Sequence, residues 1–236
     1  MKYWAIIPAA GAGSRMAQGD TLPKQYLEIN GRTLLEHSLI RLDSTNLLAG
    51  IVVVLNEDDT HWQSLKPEVS VPVFTATGGK ERVHSVLNGL AALEGQAAED
   101  DWVLVHDAAR PCIKPQDVAA LIQTLSDTGV GGLLAMPVND TIKQAEAGMK
   151  VSTTLNRKLL WRAATPQMFR LGHLNRALAS AVANDELVTD EAQALENAGY
   201  DVSLVPCSTD NIKVTYPEDL AIAEQIQVMQ GESSRS

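Results

Sequence analysis

The sequence predicts an α/β fold, in which a mostly parallel sheet is flanked by helices and one β-hairpin projects from it. Short apolar segments alternate with segments of helical periodicity, which is the pattern of βαβ units. A glycine-rich turn follows the first apolar segment, and ligands of such sheets collect beyond the carboxyl ends of the strands. With 236 residues, of which 45% are hydrophobic, the chain can bury a large core in one domain.

The strands are predicted where apolar residues run together between turn residues. Such segments are short and rich in β-branched or aromatic side chains, as strands buried on both faces are. They lie at 3–8, 51–55, 71–76, 102–106, 131–137 and 202–205.

The helices are predicted from apolar side chains at helical spacing and from residues typical of helix ends. Thr33 and Glu36 form a capping-box pattern at the start of a helix that reaches Arg41. Pro115 suits the first turn of a helix that ends at Leu125. Further helices are predicted at 81–93, 171–184, 189–198 and from 216 onwards. The alternation of these helices with the strands predicts a Rossmann-like arrangement.

A hairpin interrupts this alternation at 140–155, where two β-prone segments enclose a polar turn at Ala147 and Gly148. An isolated two-stranded hairpin is marginally stable in water, so it must pack against something. A second copy of the chain and the hairpin's own domain are both possible partners. We therefore predict a single domain over 1–230 with an arm at 139–156, and a disordered tail at 231–236.

Composition narrows the class of protein. The formal net charge of −10 disfavours a nucleic-acid partner, because such binding needs a basic surface. No apolar segment approaches the roughly 20 residues of a membrane helix. Cys112 and Cys207 are far apart and form no metal-binding or disulfide pattern. We expect a cytoplasmic protein with no membrane partner, in which a small anionic substrate meets locally gathered cations.

The glycine-rich turn carries the first functional signal. Gly11 and Gly13 allow the backbone to approach an anion closely, and Arg15 and Lys24 follow them in the same loop. A dinucleotide-binding motif would need glycine where Met16 stands, and no P-loop lysine pattern is present. An ordinary turn is the alternative, but it leaves the two cations unexplained. The loop is therefore a candidate phosphate-binding site.

The loop and later segments together resemble the 2-C-methyl-D-erythritol 4-phosphate cytidylyltransferase family of nucleotidyltransferases. The resemblance runs in order from about residue 5 to 224. Besides the glycine loop with its Pro23-Lys24, it is carried by Asp107-Ala108-Ala109-Arg110-Pro111, Asp140-Thr141-Ile142-Lys143, Thr165-Pro166-Gln167, Thr189-Asp190-Glu191 and Asp210-Asn211-Ile212-Lys213-Val214-Thr215.

This resemblance implies transfer of CMP from CTP to methylerythritol phosphate, with release of pyrophosphate. It also implies a homodimer with interlocking arms, in which Arg157 and Thr141 reach the neighbouring subunit's site. By the same resemblance four cations are catalytic: Arg15, Lys24, Arg157 and Lys213. Local sequence identifies Arg157 only weakly, because Lys158 and Arg162 lie beside it and a surface charge is the alternative.

Two loops between a strand and a helix are the candidates for nucleotide binding. The resemblance gives Gly79 and Ser85 roles near the cytosine, although His84 stands here where family members often carry an aspartate. The predicted substrate-binding residues are Ala9, Ala10, Gly11, Ala12, Gly13 and Ser14 in the first loop, Gly79, Lys80, Arg82 and Ser85 in the second, and Asp107, Ala108, Arg110, Thr141, Thr165, Thr189, Asp210 and Thr215 elsewhere.

A magnesium ion bound with CTP is the expected cofactor. Asp107 follows a predicted buried strand and is a candidate metal partner, directly or through water, with Asp210 a weaker second candidate. Pairing of Asp107 with Arg110 is the structural alternative. His106 points to the other face of its strand, which favours a packed side chain.

Three other functions compete with this assignment. A cytidylyltransferase for ribitol 5-phosphate would share the nucleotide half of the sequence. A catalytically silent nucleotide-binding module would explain the glycine loop but not the acceptor-site cations. A dehydrogenase lacks its glycine motif here.

Overall fold

The computed structural model describes residues 1–11 and 22–233, and within these ranges seven strands form one sheet. The strands in chain order are β1 (Tyr3–Pro8), β2 (Glu28–Ile29), β3 (Arg32–Thr33), β4 (Gly50–Leu55), β5 (Val73–Thr77), β6 (Trp102–Val105), β7 (Gly131–Pro137), β8 (Lys143–Ala145), β9 (Val151–Thr154), β10 (Trp161–Arg170) and β11 (Ser203–Pro206). The helices are α1 (Leu34–Asp43), α2 (Arg82–Ala91), α3 (Pro115–Leu125), α4 (Leu171–Ala183), α5 (Glu191–Asn197) and α6 (Pro217–Ser233).

The central sheet has the order β11-β7-β10-β6-β1-β4-β5. Its neighbouring strands are parallel except around β10, which is antiparallel to both β6 and β7. The predicted α/β fold with a mostly parallel sheet is therefore confirmed. β10 was not predicted, because its sequence mixes charged residues and a proline with apolar ones and so shows neither strand pattern.

Helices cover both faces of the sheet. Alternate residues of β1 belong to different core clusters, with Ala5 and Ile7 on one face and Trp4 and Ile6 on the other. The first face packs against α1 and α3, and the second against α2, α4 and α5. Because both faces are covered, the carboxyl edge of the parallel strands is where loops can bind a ligand.

Two helices begin at the residues that their end signals predicted, whereas α2 and α5 begin one and two residues later than predicted. Thr33 and Glu36 form the capping box of α1, in which each side chain bonds the other residue's backbone N–H. α3 has the predicted bounds. The prediction of a disordered tail from 231 is corrected at its start, because α6 continues to Ser233. One glycine costs about 1 kcal/mol in a helix, which does not end a helix that is already several turns long.

β8 pairs antiparallel with β9 to form a hairpin between residues 143 and 154, and its role as a dimerisation arm stays a prediction. Every residue of this segment is exposed, including the apolar Met149 and Val151 at 91% and 60%. The turn between the strands places Gly148 and Met149 at positive φ. In the described part of the chain, no helix is both long and apolar enough to cross a membrane.

Candidate functional site

The loop after β1 and the loop between β5 and α2, called the first and second loops, meet in a cavity of about 380 Å³. Its lining includes Ala10, Gly11, Gly79 and Lys80 from the predicted loops. A Cβ on Gly78 would stand 2.3 Å from the Cβ of Ala10, so glycine is needed there for the loops to approach. The rest of the first loop, including the predicted Ala12, Gly13, Ser14 and Arg15, lies outside the described residues.

The start of α2 forms one wall of this cavity. No side chain caps the helix, which leaves first-turn N–H groups available to an anion. Ser85 is buried, and its hydroxyl accepts a hydrogen bond of 3.1 Å from the backbone N–H of Gly79. The predicted serine therefore fixes the shape of the second loop, and the loop backbone faces the cavity.

Arg82, at the first residue of α2, is held by two carboxylates. Its guanidinium forms two hydrogen bonds with Glu191, which is 1% exposed, and a third of 3.3 Å with Asp107. Burial alone would lower the pKa of Arg82, but the two carboxylates raise it above its ordinary value. Arg82 is thus a permanent cation with a fixed direction at the wall of the cavity.

Asp107 is the centre of a cluster of charged side chains. Its carboxylate lies 2.8 Å from Nζ of Lys213, 3.3 Å from Arg82 and 3.6 Å from Nε of Arg110. Burial would raise the pKa of Asp107, but these three cations hold the pKa well below its usual range. With Glu191 included, the cluster keeps one positive charge in excess, which suits an anionic substrate.

Lys24 joins the N-terminal loop to this cluster across 190 positions of the sequence. Its ammonium group donates a hydrogen bond of 2.9 Å to the carbonyl of Val214, the residue after Lys213. The N–H of Val214 in turn donates to the carbonyl of Ala109, in the loop that carries Asp107. Two predicted catalytic lysines, Lys24 and Lys213, therefore belong to one connected region.

Several other predicted residues stabilise this region from within. The hydroxyl of Thr165 is buried and accepts a bond of 3.0 Å from the N–H of Asp107. Ala108 is also buried, and its carbonyl accepts a bond from Ser38. The N–H of Thr215 donates to Asp219 at the start of α6.

Four predicted residues lie away from the cluster. Asp210 forms an ion pair of 2.7 Å with Lys114 and lines a different cavity. Thr189 is exposed, and its hydroxyl donates to Gln193. Arg157 and Thr141 are exposed at the base of the hairpin, where Arg157 donates to the carbonyl of Asn139.

Two buried polar residues of the site were not predicted. Glu191 holds Arg82 in place, and Asn211 donates 2.8 Å to the carbonyl of Thr165. Both residues lie within sequence motifs that carry the family resemblance. That location is the one signal by which the sequence could have identified them. Their partners are distant in the chain, by 109 and 46 residues, so no local pattern reveals the contacts.

Comparison with known proteins gives one consistent result. The family model described as IspD, 2-C-methyl-D-erythritol 4-phosphate cytidylyltransferase, matches residues 3–229. Curated proteins of that name from Pseudomonas putida (strain GB-1) and Ectopseudomonas mendocina (strain ymp) are 52% and 50% identical, with 92% and 96% of each chain covered. The crystal structure of the Francisella tularensis protein of that name has a TM-score of 0.80 at 35% identity, covering 96% of this chain and 100% of that chain.

Proposed function

The chain belongs to the 2-C-methyl-D-erythritol 4-phosphate cytidylyltransferase family, and from that premise we propose how its residues divide the reaction. It is a CTP-dependent nucleotidyltransferase of isoprenoid biosynthesis, which joins CMP to methylerythritol phosphate and releases pyrophosphate. The ribitol 5-phosphate alternative is not favoured. The roles of individual residues are our proposal.

The cavity between the first two loops is proposed to hold CTP. Support comes from its backbone lining, from the uncapped N-terminus of α2, and from the fixed guanidinium of Arg82. Lys24 and Arg15 are proposed to neutralise charge that develops on the triphosphate during displacement at the α-phosphorus. The role of Lys24 is supported by its contact with Val214, whereas the role of Arg15 rests on the family resemblance.

The acceptor phosphate is proposed to bind at Lys213. A phosphate monoester is mostly dianionic near neutral pH and attacks without a general base, so the protein must gather anions and hold them in line. The single observation that carries this proposal is the convergence of Lys213 and Arg82 on Asp107, with Lys24 bonded to the residue after Lys213.

A magnesium ion is proposed to enter with CTP. Within residues 1–11 and 22–233 no three potential ligands cluster, so this part of the chain offers no metal cage of its own. The site still fits an ion that substrate phosphates and water hold, because Mg²⁺ commonly uses only one or two carboxylates. Asp107 is that carboxylate, and since three cations already occupy it, we propose that it acts through water.

Pyrophosphate release tests the function directly. Purified protein with CTP and Mg²⁺ should release pyrophosphate with methylerythritol 4-phosphate and not with ribitol 5-phosphate. Addition of excess EDTA should stop the release. Release only with ribitol 5-phosphate would overturn the acceptor, and release with neither would overturn the function.

The protein is proposed to act as a homodimer whose sites take Arg157 and Thr141 from the partner subunit. The exposed hairpin supports this, because Met149 and Val151 are apolar and uncovered in one subunit. We also propose a cytoplasmic location, which two unpaired cysteines support.

Mixed dimers test the sharing of sites. Arg157→Ala and Lys24→Ala are each expected to be inactive, but after unfolding and refolding together, half of the dimers contain one intact site. Pyrophosphate release should then recover to about a quarter of the wild-type rate. Each variant refolded alone is the control, and absence of recovery in the mixture despite native mass would contradict a shared site.

A further inference from the structure

Four buried polar residues next to the charged cluster are joined in a closed ring of hydrogen bonds by their side chains and backbone carbonyls. The hydroxyl of Thr165 lies 3.1 Å from Nδ1 of His106, and Nε2 of His106 lies 3.2 Å from the carbonyl of Arg110. The guanidinium of Arg110 donates 2.8 Å to the carbonyl of Asn211. The amide of Asn211 closes the ring by donating to the carbonyl of Thr165. These residues are 0–9% exposed.

The direction of each bond in the ring follows from the chemistry of its atoms. A carbonyl can only accept, so Nε2 of His106 must carry the proton that it donates to Arg110. In a neutral imidazole Nδ1 is then an acceptor, and Thr165 donates to it. The oxygen of Thr165 remains available to accept from the N–H of Asp107, as the structure shows. One tautomer of His106 thus satisfies both of its ring nitrogens and the hydroxyl of Thr165.

The ring joins three segments, two of which carry the acceptor-side charges. Asp107 follows His106 directly, and Lys213 lies two residues after Asn211. Asp107 and Lys213 form an ion pair, with 2.8 Å between the carboxylate and Nζ. Buried polar groups are costly unless they are hydrogen-bonded, and a ring of four such bonds favours one arrangement of the segments that it connects.

We propose that His106 and Asn211 are positioning residues of the cytidylyl transfer, which hold Asp107 and Lys213 in register through this ring. Neither residue needs to touch a substrate. The inference rests on the proposed acceptor role of Lys213. Arg82 keeps its two bonds to Glu191 whatever happens to its weaker bond with Asp107, so the ring acts mainly on the acceptor side and leaves CTP binding largely intact.

Kinetics of His106→Phe and Asn211→Leu test the proposal, because both changes keep approximate size and remove the polar atoms. We expect kcat to fall ~10- to 100-fold, because small misplacements of reacting groups slow a reaction by such factors. The KM for methylerythritol phosphate should rise, while the KM for CTP stays within about threefold. His173→Phe is the matched control, because His173 stacks on Tyr200 in another part of the described structure.

Two results would overturn the proposal. One is a folded His106→Phe with normal kcat. The other is a nitrogen-15 NMR spectrum of the wild-type protein that shows the proton on Nδ1 of His106; a proton on Nε2 supports the ring and requires no variant to fold. Absence of pyrophosphate release by the wild-type enzyme would instead count against the proposed function, so the two failures are distinguishable.

Discussion

Replacing Lys24 by Met should lower kcat by about 10²–10³-fold, the loss typical when one preorganised donor to a developing charge is removed. The ammonium group is held in place by the carbonyl of Val214, so the charge is already placed before the substrate arrives. Methionine keeps most of the side chain's length and removes only the charge and the donor. Pyrophosphate release under saturating substrates measures the effect.

The control for this change is Lys66→Met, which removes a lysine at an exposed position. It should leave kcat unchanged. Loss of the charged hydrogen bond to Val214 should itself cost Lys24→Met about 1.5–3 kcal/mol of stability. Near-normal turnover of a folded Lys24→Met would refute the catalytic role of Lys24.

Replacing Asp107 by Asn should reduce the free energy of unfolding by about 3 kcal/mol, the lower end for breaking a buried pair, because the carboxylate is buried but two of its three cations are partly exposed. Arg82, Arg110 and Lys213 all face this carboxylate, whose side chain is only 12% exposed. Turnover should also fall, because Lys213 loses the carboxylate that holds its ammonium group in place. Urea unfolding at neutral pH measures the stability. Glu68→Gln is the control, because Glu68 forms an exposed pair with Arg32 that is worth at most about 1 kcal/mol.

The same variant should also change the dependence of stability on pH. The pKa of Asp107 is lower in the folded protein than in the unfolded chain, so its stabilisation is fully present above the unfolded pKa of about 3.9. It is lost as the pH falls from there through the folded pKa. The stability gap between wild type and Asp107→Asn should therefore be constant from pH 7 to 5 and narrow below about pH 4. A gap unchanged at pH 3.5 would contradict the ion cluster.

The fold could be predicted largely from the sequence because most central strands are buried on both faces. A strand such as β4 is then a continuous apolar segment bounded by turns, which is visible without any knowledge of its neighbours. β10 lacked that signal, because Arg162 and Pro166 interrupt it, and its place depends on pairing with β6 and β7. Boundaries were accurate where a capping residue or a proline fixed them, as in α1 and α3.

The site could be predicted only in part, for a related reason. Glycines and cations next to predicted strands identify a phosphate site locally, and Asp107 with Arg110 is a short-range pair. The contacts of Asp107 with Arg82 and Lys213, however, depend on how distant segments meet. Glu191 and Asn211 act only through such contacts, so their roles require the three-dimensional structure.

The hydrogen bond between Lys24 and Val214 has a consequence for synthesis. The ribosome makes the N-terminal loop first, but the carbonyl that fixes Lys24 appears 190 residues later. At ordinary rates of translation this delay is ~10–40 s. A chain that terminates before residue 213 lacks both this carbonyl and Lys213, so such truncated products lack two parts of the proposed catalytic centre even where the sheet has begun to form. If Lys24 and Lys213 have the proposed roles, activity therefore requires synthesis to continue past residue 214.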